Sequence, residues 1–388
     1  MPRAAWILFA GTFVLRLGSF IFPFLSLYLT QQGLSIQAAG VAITGYGIGG
    51  MAAQLTGGLL TDRIGRKNAI AVSMITSALL VVVLLQAKTL PAVLAVVILY
   101  SFFAELHRPA SSALIADLIP SEHRVAAYAF NRLGLNVAFA IGLAIGGFVA
   151  ERSFTGLFLA DAATSAGFGV ISLVALPHGT RTRREHERAL GGARAAIFAD
   201  RGVLLVLTAT LAGAVVYSQG YSTFPLWVRD LGFEARVYGF LQGSNGIICA
   251  IFELAVTAIA LRHRRTRMIA LGLLLTGLGF GGFAILRTIP GMAFAVLIWT
   301  FGEMFDSPSV SAYIADRAPE HARGRYQSSL GFSYGLAFAI GPLAGTTLFR
   351  AWPEGVWVAC AVLGVLGGAL ALRAERHPVP PWRDVVPG

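Results

Sequence analysis

Two carboxylates stand close together in an otherwise apolar stretch of the chain. Glu303 and Asp306 lie in "TFGEMFDSP" (300–308), three residues apart, so they share one face of a helix. Neighbouring carboxylates repel in a low dielectric, and desolvation favours the neutral acid, so at least one should hold a proton near pH 7. The pattern predicts a proton-exchanging group, with Glu303 as carrier and Glu105 and Glu253 as further candidates. The alternative is that Glu303 is permanently paired with an arginine and only stabilises the fold.

Three arginines also interrupt apolar stretches, all in the N-terminal half: Arg16, Arg108 and Arg132. A charge in the middle of a bilayer costs at least about 2.5 kcal/mol, so each should face a cavity or a partner. Glu105 and Arg108 have the spacing of an ion pair within one helix, and Arg132 shares a helix face with Asn136. We expect these arginines and Asn136 to contact a substrate, and a carboxylate or phosphate would suit them.

Aromatic and amide side chains alternate in "YSQGYSTF" (217–224). Tyr217, Gln219 and Tyr221 offer ring faces and hydrogen bonds, which suit a flat or cationic ligand. The pattern predicts a wall of a binding site. The alternative is a set of aromatic anchors at the membrane surface.

These residues are embedded in a very apolar chain, in which 56% of the residues are hydrophobic and 13% are charged. About 20 apolar residues are enough for a helix to cross a membrane. The composition predicts an all-α membrane protein whose N-terminal apolar run is an uncleaved first span. Twelve stretches qualify as spans, near 4–29, 35–61, 68–87, 91–117, 124–150, 156–176, 203–227, 236–261, 267–286, 290–316, 324–350 and 354–372.

The net charge of +11 follows the predicted topology. If both termini face the cytoplasm, 21 of the 30 Lys and Arg residues lie in cytoplasmic segments, as the positive-inside rule requires. The basic residues are therefore topology signals that also touch anionic lipid, and binding of nucleic acid is not expected.

The second half of the chain repeats the first at an offset of 199 residues. "PASSALIADLIPSEHR" (109–124) aligns with "PSVSAYIADRAPEHAR" (308–323), and "AFAIG" occurs at 138–142 and at 337–341. A match without gaps over this length predicts two related six-helix halves.

The predicted halves are residues 1–178 and 201–388, and a basic cytoplasmic linker (179–200) joins them. The linker is either a short interfacial helix or a flexible tether. A weaker match at an offset of 202 pairs Pro23 in the first span with Pro225 in the seventh.

The loop between spans 2 and 3, "GGLLTDRIGRK" (57–67), carries the most specific motif. With the repeat and the twelve spans, it resembles the Major Facilitator Superfamily, whose signature at this loop is G-x-L-x-D-R-x-G-R-[RK]. The resemblance implies a conformational latch between the two halves, in which Asp62 accepts a hydrogen bond from Arg66 or faces a helix N-terminus. The latch residues are Gly58, Asp62, Arg63, Gly65, Arg66 and Lys67.

The corresponding stretch of the second half, "LRHRRT" (261–266), keeps Arg265 but has Leu261 in place of the aspartate. The latch is therefore expected on one side only. Asp117 and Asp316, which the repeat aligns, lie at predicted helix ends and are expected to act as caps and loop anchors.

Span 5 ends in "AFAIGLAIGG" (138–147), similar to the G-x-x-x-G-P-x-x-G-G motif of antiporters in this superfamily. Gly142, Gly146 and Gly147 match, whereas Leu143 replaces the proline. Small residues let helices approach closely, so we expect tight packing here.

Together these features resemble the drug–proton antiporter branch. The resemblance implies a monomer in a bacterial cytoplasmic (inner) membrane that needs no cofactor and exports small hydrophobic or cationic compounds in exchange for protons. The alternative is proton-coupled or facilitated transport of an anionic metabolite held by Arg16, Arg108 and Arg132. An enzyme is not expected, because the chain has no catalytic triad, metal cluster or phosphate-binding loop.

Overall fold

A computed structural model describes residues 2–178, 200–318 and 323–377. These residues form helices and loops without any strand, which confirms the predicted all-α fold. The helices are α1 (Arg3–Leu17), α2 (Ile21–Gln31), α3 (Ile36–Ile64), α4 (Arg66–Gln86), α5 (Leu90–Leu118), α6 (Ser121–Arg152), α7 (Phe154–Ala175), α8 (Arg201–Ser222), α9 (Phe224–Asp230), α10 (Ala235–Ala260), α11 (Arg265–Gly282), α12 (Ile289–Arg317), α13 (Arg323–Ala351) and α14 (Pro353–Ala374).

Ten helical segments within the described ranges are long and apolar enough to cross a membrane, with α1 and α2 counted together. The helices α3 and α11 occupy the positions expected for spans 2 and 9. Hydroxyl side chains begin several of the helices, since Ser35, Ser153 and Thr288 each accept a hydrogen bond from a backbone N–H of the first turn. The chain is a multi-pass membrane protein.

The described residues divide into two compact units. The first unit comprises residues 2–178, 220–250 and 342–347, and the second comprises 200–219, 251–318, 323–341 and 348–377. The first unit therefore joins the described residues of the N-terminal repeat to α9 and to parts of α8, α10 and α13 from the C-terminal repeat. The linker lies outside the described residues except for Asp200. The predicted boundaries at 178 and 201 stay a prediction.

The first helix of each repeat is interrupted, although the sequence predicts continuous spans. Residues 18–20 separate α1 from α2, and Thr223 separates α8 from α9. Pro23 and Pro225 lie in the first turn of the second helix in each case. Proline is tolerated there because its missing N–H would have no partner within the helix. The weak match at an offset of 202 therefore marks a structural break that both repeats share.

A buried carboxylate from α7 holds the break between α1 and α2. Asp161 Oδ2 accepts hydrogen bonds from the backbone N–H groups of Phe20 (2.8 Å) and Ile21 (3.0 Å). Ser165 and Tyr100 also donate to this carboxylate. Only 1% of the Asp161 residue is exposed, so the carboxylate has little contact with solvent. Its charge instead satisfies N–H groups at a helix N-terminus, where a negative charge is favoured.

Within the first unit, α6 and α10 approach each other backbone to backbone. The contacts lie where glycines leave room, so a Cβ atom added to α10 would clash with α6. It would lie 2.4 Å from the Leu143 carbonyl oxygen if built on Gly239, and 2.7 Å from the Ala140 oxygen if built on Gly243. On α6, a Cβ on Gly147 would lie 2.7 Å from Arg236 Cα. The tight packing expected for span 5 is therefore formed with α10 of the other repeat.

Candidate functional site

The paired acids lie midway along α12, in the second unit. Glu303 and Asp306 interact electrostatically with each other and with the hydroxyl of Tyr334 on α13. Pro308 lies inside α12, about one turn after the acids begin at Glu303. Proline has no N–H, so one backbone hydrogen bond of the helix is missing there. The structure thus brings the two predicted acids together and adds a tyrosine to them.

Asp306 is held against α11 rather than directed into open space. A Cβ on Gly272 of α11 would lie 2.7 Å from both Cβ and N of Asp306, so the two helices touch at this point. The Oδ1 atom of Asp306 is buried and makes no hydrogen bond to any described residue. Burying an unpaired polar atom is costly, and more so when the group is charged, so this environment favours the neutral acid.

The three residues predicted on span 7 have different surroundings. The Tyr217 ring packs edge-on against Trp299 of α12, with centroids 5.7 Å apart. The buried Gln219 amide donates to the carbonyl oxygens of Val215 (2.9 Å) and Gly341 (3.0 Å), which favours a role in packing. Tyr221 belongs to the first unit. The three residues therefore have different neighbours.

Glu105 and Arg108 form the predicted pair on α5. Arg108 Nε lies 2.9 Å from Glu105 Oε2, and the Tyr46 hydroxyl of α3 donates to Oε1 at 3.3 Å. Both carboxylate oxygens are thus occupied. The Glu105 side chain is 13% exposed and that of Arg108 is 55% exposed, so the guanidinium extends from the pair into open space.

Arg16, in the last turn of α1, stacks on a phenyl ring. Its Cζ atom lies 3.9 Å from the ring centroid of Phe139 on α6. Arg108, Tyr221, Glu105 and Tyr46 are the groups that act most strongly on its charge. The structure therefore brings Arg16, Arg108, Glu105 and Tyr221 together in the first unit.

The remaining predicted residues lie on α6 and α10. Arg132 is exposed on α6, and Glu253 is half-buried on α10 between the exposed Phe252 and Leu254. Asn136 contributes its backbone oxygen to the α6–α10 contact, since a Cβ on Gly246 would lie 2.7 Å from it.

The predicted latch loop is held by a contact that the sequence did not indicate. Arg66, at the start of α4, forms an ion pair with Asp117 of α5 and donates to the Ala113 carbonyl oxygen at 2.9 Å. The sequence suggested Asp62 as the acceptor for Arg66. The Asp62 side chain lies outside the described part of the chain, so this suggestion stays a prediction. Lys67 donates to the Leu173 carbonyl oxygen of α7 at 3.0 Å.

The glycines of the loop differ in what they do. Gly65 separates α3 from α4 with φ of +87°, a conformation that favours glycine. Gly58 lies within α3, and a Cβ there would meet no atom within 4 Å. Arg63 is exposed at the end of α3.

The second repeat keeps the same ion pair. Arg265 Nε lies 3.7 Å from Asp316 Oδ2, and both residues are 199 positions after Arg66 and Asp117. Asp117 and Asp316 were expected to be caps or loop anchors, and the structure specifies the partner of each. The loss of the motif aspartate at Leu261 therefore leaves this part of the loop structure intact in both repeats.

Acidic groups from two helices hold the start of α11. Besides Asp316, Glu375 just after α14 pairs with Arg264 and lies 3.5 Å from Arg267. The hydrogen bond from Arg264 lowers the pKa of the Glu375 carboxyl from its usual value. This contact joins α11 to the end of α14.

We expect Arg66→Gln to destabilise the protein by about 3 kcal/mol, because breaking one side of a largely buried ion pair leaves the other charge poorly solvated. The matched variant Arg265→Gln should cost less than about 1 kcal/mol, since the pair it breaks is more exposed. The side chains of the first pair are 10% and 16% exposed, against 29% and 64% for the second. Thermal unfolding of both purified variants checks this order, and equal losses would contradict it.

Sequence reasoning missed four residues that the structure places beside the predicted ones. Tyr46 and Phe139 contact the arginine cluster, Tyr334 lies beside the α12 acids, and Asp161 holds the break after α1. Aromatic residues are common in every span, so their types alone gave no signal. The weak Phe-Pro match was the one feature that pointed to the break.

The Major Facilitator Superfamily model matches residues 8–328 and 221–386. The chain belongs to the Major Facilitator Superfamily. It is therefore a transporter with a small-molecule substrate, and not an enzyme.

Relatives within the superfamily differ in what they are named for. The chain is 26% identical over 351 residues to the uncharacterized MFS-type transporter YqjV of Bacillus subtilis (strain 168), covering 88% of this chain and 85% of the relative. It is 25% identical over 357 residues to a Na⁺, Li⁺, K⁺/H⁺ antiporter of Planococcus maritimus, covering 84% of each. It is 25% identical over 154 residues to the quinolone resistance protein NorA of Staphylococcus aureus, covering 39% of this chain and 40% of NorA.

Solved structures share the superfamily fold. The nucleoside transporter NupG superposes with a TM-score of 0.80 at 15% identity, covering 97% of this chain and 100% of that one. A D-xylose–proton symporter superposes with a TM-score of 0.77 at 16% identity, covering 97% of each. These similarities show the fold alone.

Proposed function

We propose that the protein is a proton-coupled antiporter that exports small hydrophobic or cationic compounds by alternating access. The observation that carries this proposal is the pair Glu303–Asp306 in the middle of α12, with Tyr334 nearby and a buried Asp306 oxygen that has no hydrogen-bond donor among the described residues. Such a pair favours one shared proton over two negative charges. A relative named as a cation/proton antiporter and one named for quinolone resistance support the same direction.

In the proposed cycle, a proton from outside neutralises Glu303 and the exported compound leaves. Deprotonation on the inside then restores a carboxylate that attracts the next cationic or polar substrate. Asp306 and Glu303 share one proton, because two negative charges so close together would repel. The membrane is the cytoplasmic (inner) membrane of a bacterium with both termini inside, and the transporting unit is a monomer.

The α6–α10 contact suits a cycle of this kind. Glycines on both helices allow an arrangement with two discrete states, either closely packed or separated, rather than a gradual deformation. Residue 143 is leucine, where antiporters of the superfamily have proline. Leucine keeps the backbone N–H that proline lacks, so α6 retains this hydrogen-bond donor at the contact.

A second candidate function is transport of an anionic metabolite, and one observation favours it. Arg16 and Arg108 lie near each other, and both interact electrostatically with one acid, Glu105. This local excess of positive charge suits an anion more than a cation.

The test is accumulation of a fluorescent lipophilic cation in a pump-deficient bacterium that expresses the protein, with and without a proton uncoupler. Wild type should exclude the dye in an uncoupler-sensitive way, and Glu303→Gln should lose this exclusion because the side chain no longer exchanges a proton. Glu354→Gln is the matched control, since this partly exposed residue at the start of α14 pairs with Arg287. All variants are compared at equal membrane levels.

The outcomes separate the parts of the proposal. Exclusion that survives Glu303→Gln but is lost in Asp306→Asn would transfer the coupling role to Asp306 and refute it for Glu303. A wild-type protein that reaches the membrane but shows no exclusion would refute export of cationic compounds and favour the anionic candidate.

A further inference from the structure

Around Arg16, the two positive charges of Arg16 and Arg108 face the one negative charge of Glu105. Both oxygens of Glu105 are taken, one by Arg108 and one by Tyr46. The nearby Asp161 already accepts from two backbone N–H groups at the start of α2. The Arg16 guanidinium makes no hydrogen bond or ion pair with a described residue, and its recorded contact is the stack on Phe139.

The contact with Phe139 leaves the N–H donors of the Arg16 guanidinium available to a ligand. A guanidinium that lies flat on a ring keeps its N–H donors in the ring plane, where they match the two oxygens of a carboxylate. Arg16 and Phe139 are each partly exposed, and the Arg108 side chain is more exposed still. A ligand carboxylate could therefore reach Arg16 without displacing Glu105 from its own pair.

Aromatic rings continue from this point as one wall. Phe139 lies 6.4 Å from Tyr221, Tyr221 lies 4.7 Å from Phe22, and Phe22 lies 4.4 Å from Tyr46, as measured between ring centroids. Phe22 and Tyr46 are each partly exposed. We call Arg16, Phe22, Tyr46, Phe139 and Tyr221 the arginine–aromatic face. Such a surface stacks a flat ring, and its position beside a guanidinium selects rings that carry an anion.

We propose that the arginine–aromatic face binds aromatic carboxylates, with the carboxylate on Arg16 and the ring against Phe22 and Tyr46. The proposal rests on the second candidate function above, transport of an anionic compound, and specifies the substrate class: hydrophobic compounds that carry a carboxylate next to a flat ring. Arg108 remains paired with Glu105 and adds long-range attraction, whereas Arg132 takes no part.

The test uses three ligands with one ring system and different charges, namely 2-naphthoate, 2-naphthamide and 2-naphthylmethylammonium. Their affinities for the full-length protein in lipid nanodiscs are measured by isothermal titration calorimetry near neutral pH. Naphthoate should bind at least about tenfold more tightly than the amide, and the ammonium compound should bind most weakly, since a charge-assisted pair discriminates by this order.

Variants assign the selectivity to Arg16. Arg16→Gln should lower the affinity for naphthoate at least about tenfold and leave that for naphthamide nearly unchanged. Arg16→Lys keeps the charge but not the planar fork, so its affinity should be intermediate. Arg152→Gln, which removes an exposed arginine at the end of α6, is the control and should bind like wild type. Retained naphthamide binding by Arg16→Gln shows that the variant is folded.

Three results would overturn the proposal: equal affinity for naphthoate and naphthamide, full naphthoate affinity in Arg16→Gln, or no naphthoate binding by wild type. The variant Glu303→Gln separates ligand binding from proton coupling. If this variant binds naphthoate like wild type, and wild type shows no proton-driven export in the dye assay, the antiport proposal fails and the proposed ligand class stands. If export is coupled but naphthoate does not bind through Arg16, the ligand class fails alone.

Discussion

Replacing Asp161 with leucine is expected to destabilise the protein by about 3 kcal/mol, because two buried N–H groups would lose their acceptor. These groups belong to Phe20 and Ile21, which begin α2 after the break in the first span. In a bilayer no water replaces the lost acceptor, so the second helix cannot start there without a penalty. Asp161→Asn keeps one acceptor oxygen and should cost only about 1 kcal/mol.

Thermal or denaturant unfolding of the purified variants measures this order. Asp230→Leu is a suitable control, since that carboxylate at the end of α9 is 43% exposed and lies 3.8 Å from Arg229. A pair so exposed contributes less than about 1 kcal/mol. Wild-type stability in Asp161→Leu would show that the carboxylate does not hold the break.

The position of Asp161 also determines a part of the substrate site. The second residue of α2 is Phe22, whose ring contacts both Tyr46 and Tyr221. A displaced α2 would therefore move the ring that we propose to stack the ligand. Asp161→Leu should weaken naphthoate binding even though Asp161 lies outside the arginine–aromatic face, and naphthamide should weaken in parallel because the loss concerns the ring and not the charge.

The parts of the fold that depend on local pattern were predictable from the sequence. Twenty-residue apolar stretches must become helices in a bilayer, because the backbone has no other partner. The repeat offset also predicted that Arg66 and Arg265 are equivalent, as Asp117 and Asp316 are, although it did not reveal that each arginine pairs with the aspartate. The motif suggested Asp62, whose side chain lies outside the described residues, as the partner of Arg66, and the structure adds Asp117 of α5.

The candidate site was predictable only where its members lie on one helix. Glu105–Arg108 and Glu303–Asp306 follow from a spacing of three residues. The approach of Phe139 to Arg16 depends on how α6 packs against α1. Glycines in the sequence indicate that helices can pack closely, but they do not indicate which face of each helix is turned toward the other. Gln219 shows the limit, because a polar residue among aromatics suits a ligand or a neighbouring carbonyl equally well, and here it donates to carbonyls.

Gly239→Leu should reduce transport at least about tenfold, because overpacking costs about 1–3 kcal/mol and would weigh against the closely packed state of α6 and α10. The new Cβ would lie 2.4 Å from the Leu143 carbonyl oxygen and 3.1 Å from Gly147 Cα. Both are backbone atoms, so the clash cannot be relieved by a rotamer change and the helices must separate. A cycle that needs this contact in one of its states would then stall.

The matched control is Gly167→Leu on α7, where an added Cβ meets no atom within 4 Å. Both variants replace a helical glycine with leucine, so both gain the same helix propensity. They differ only in that the new side chain clashes with the α6 backbone in Gly239→Leu. Uncoupler-sensitive dye exclusion measures transport, and hydrogen exchange of the α6 segment 136–147 measures the packing. We expect faster exchange and lost transport in Gly239→Leu and neither in the control. Transport at the wild-type rate together with faster exchange would show that the cycle does not require α6 and α10 to pack closely.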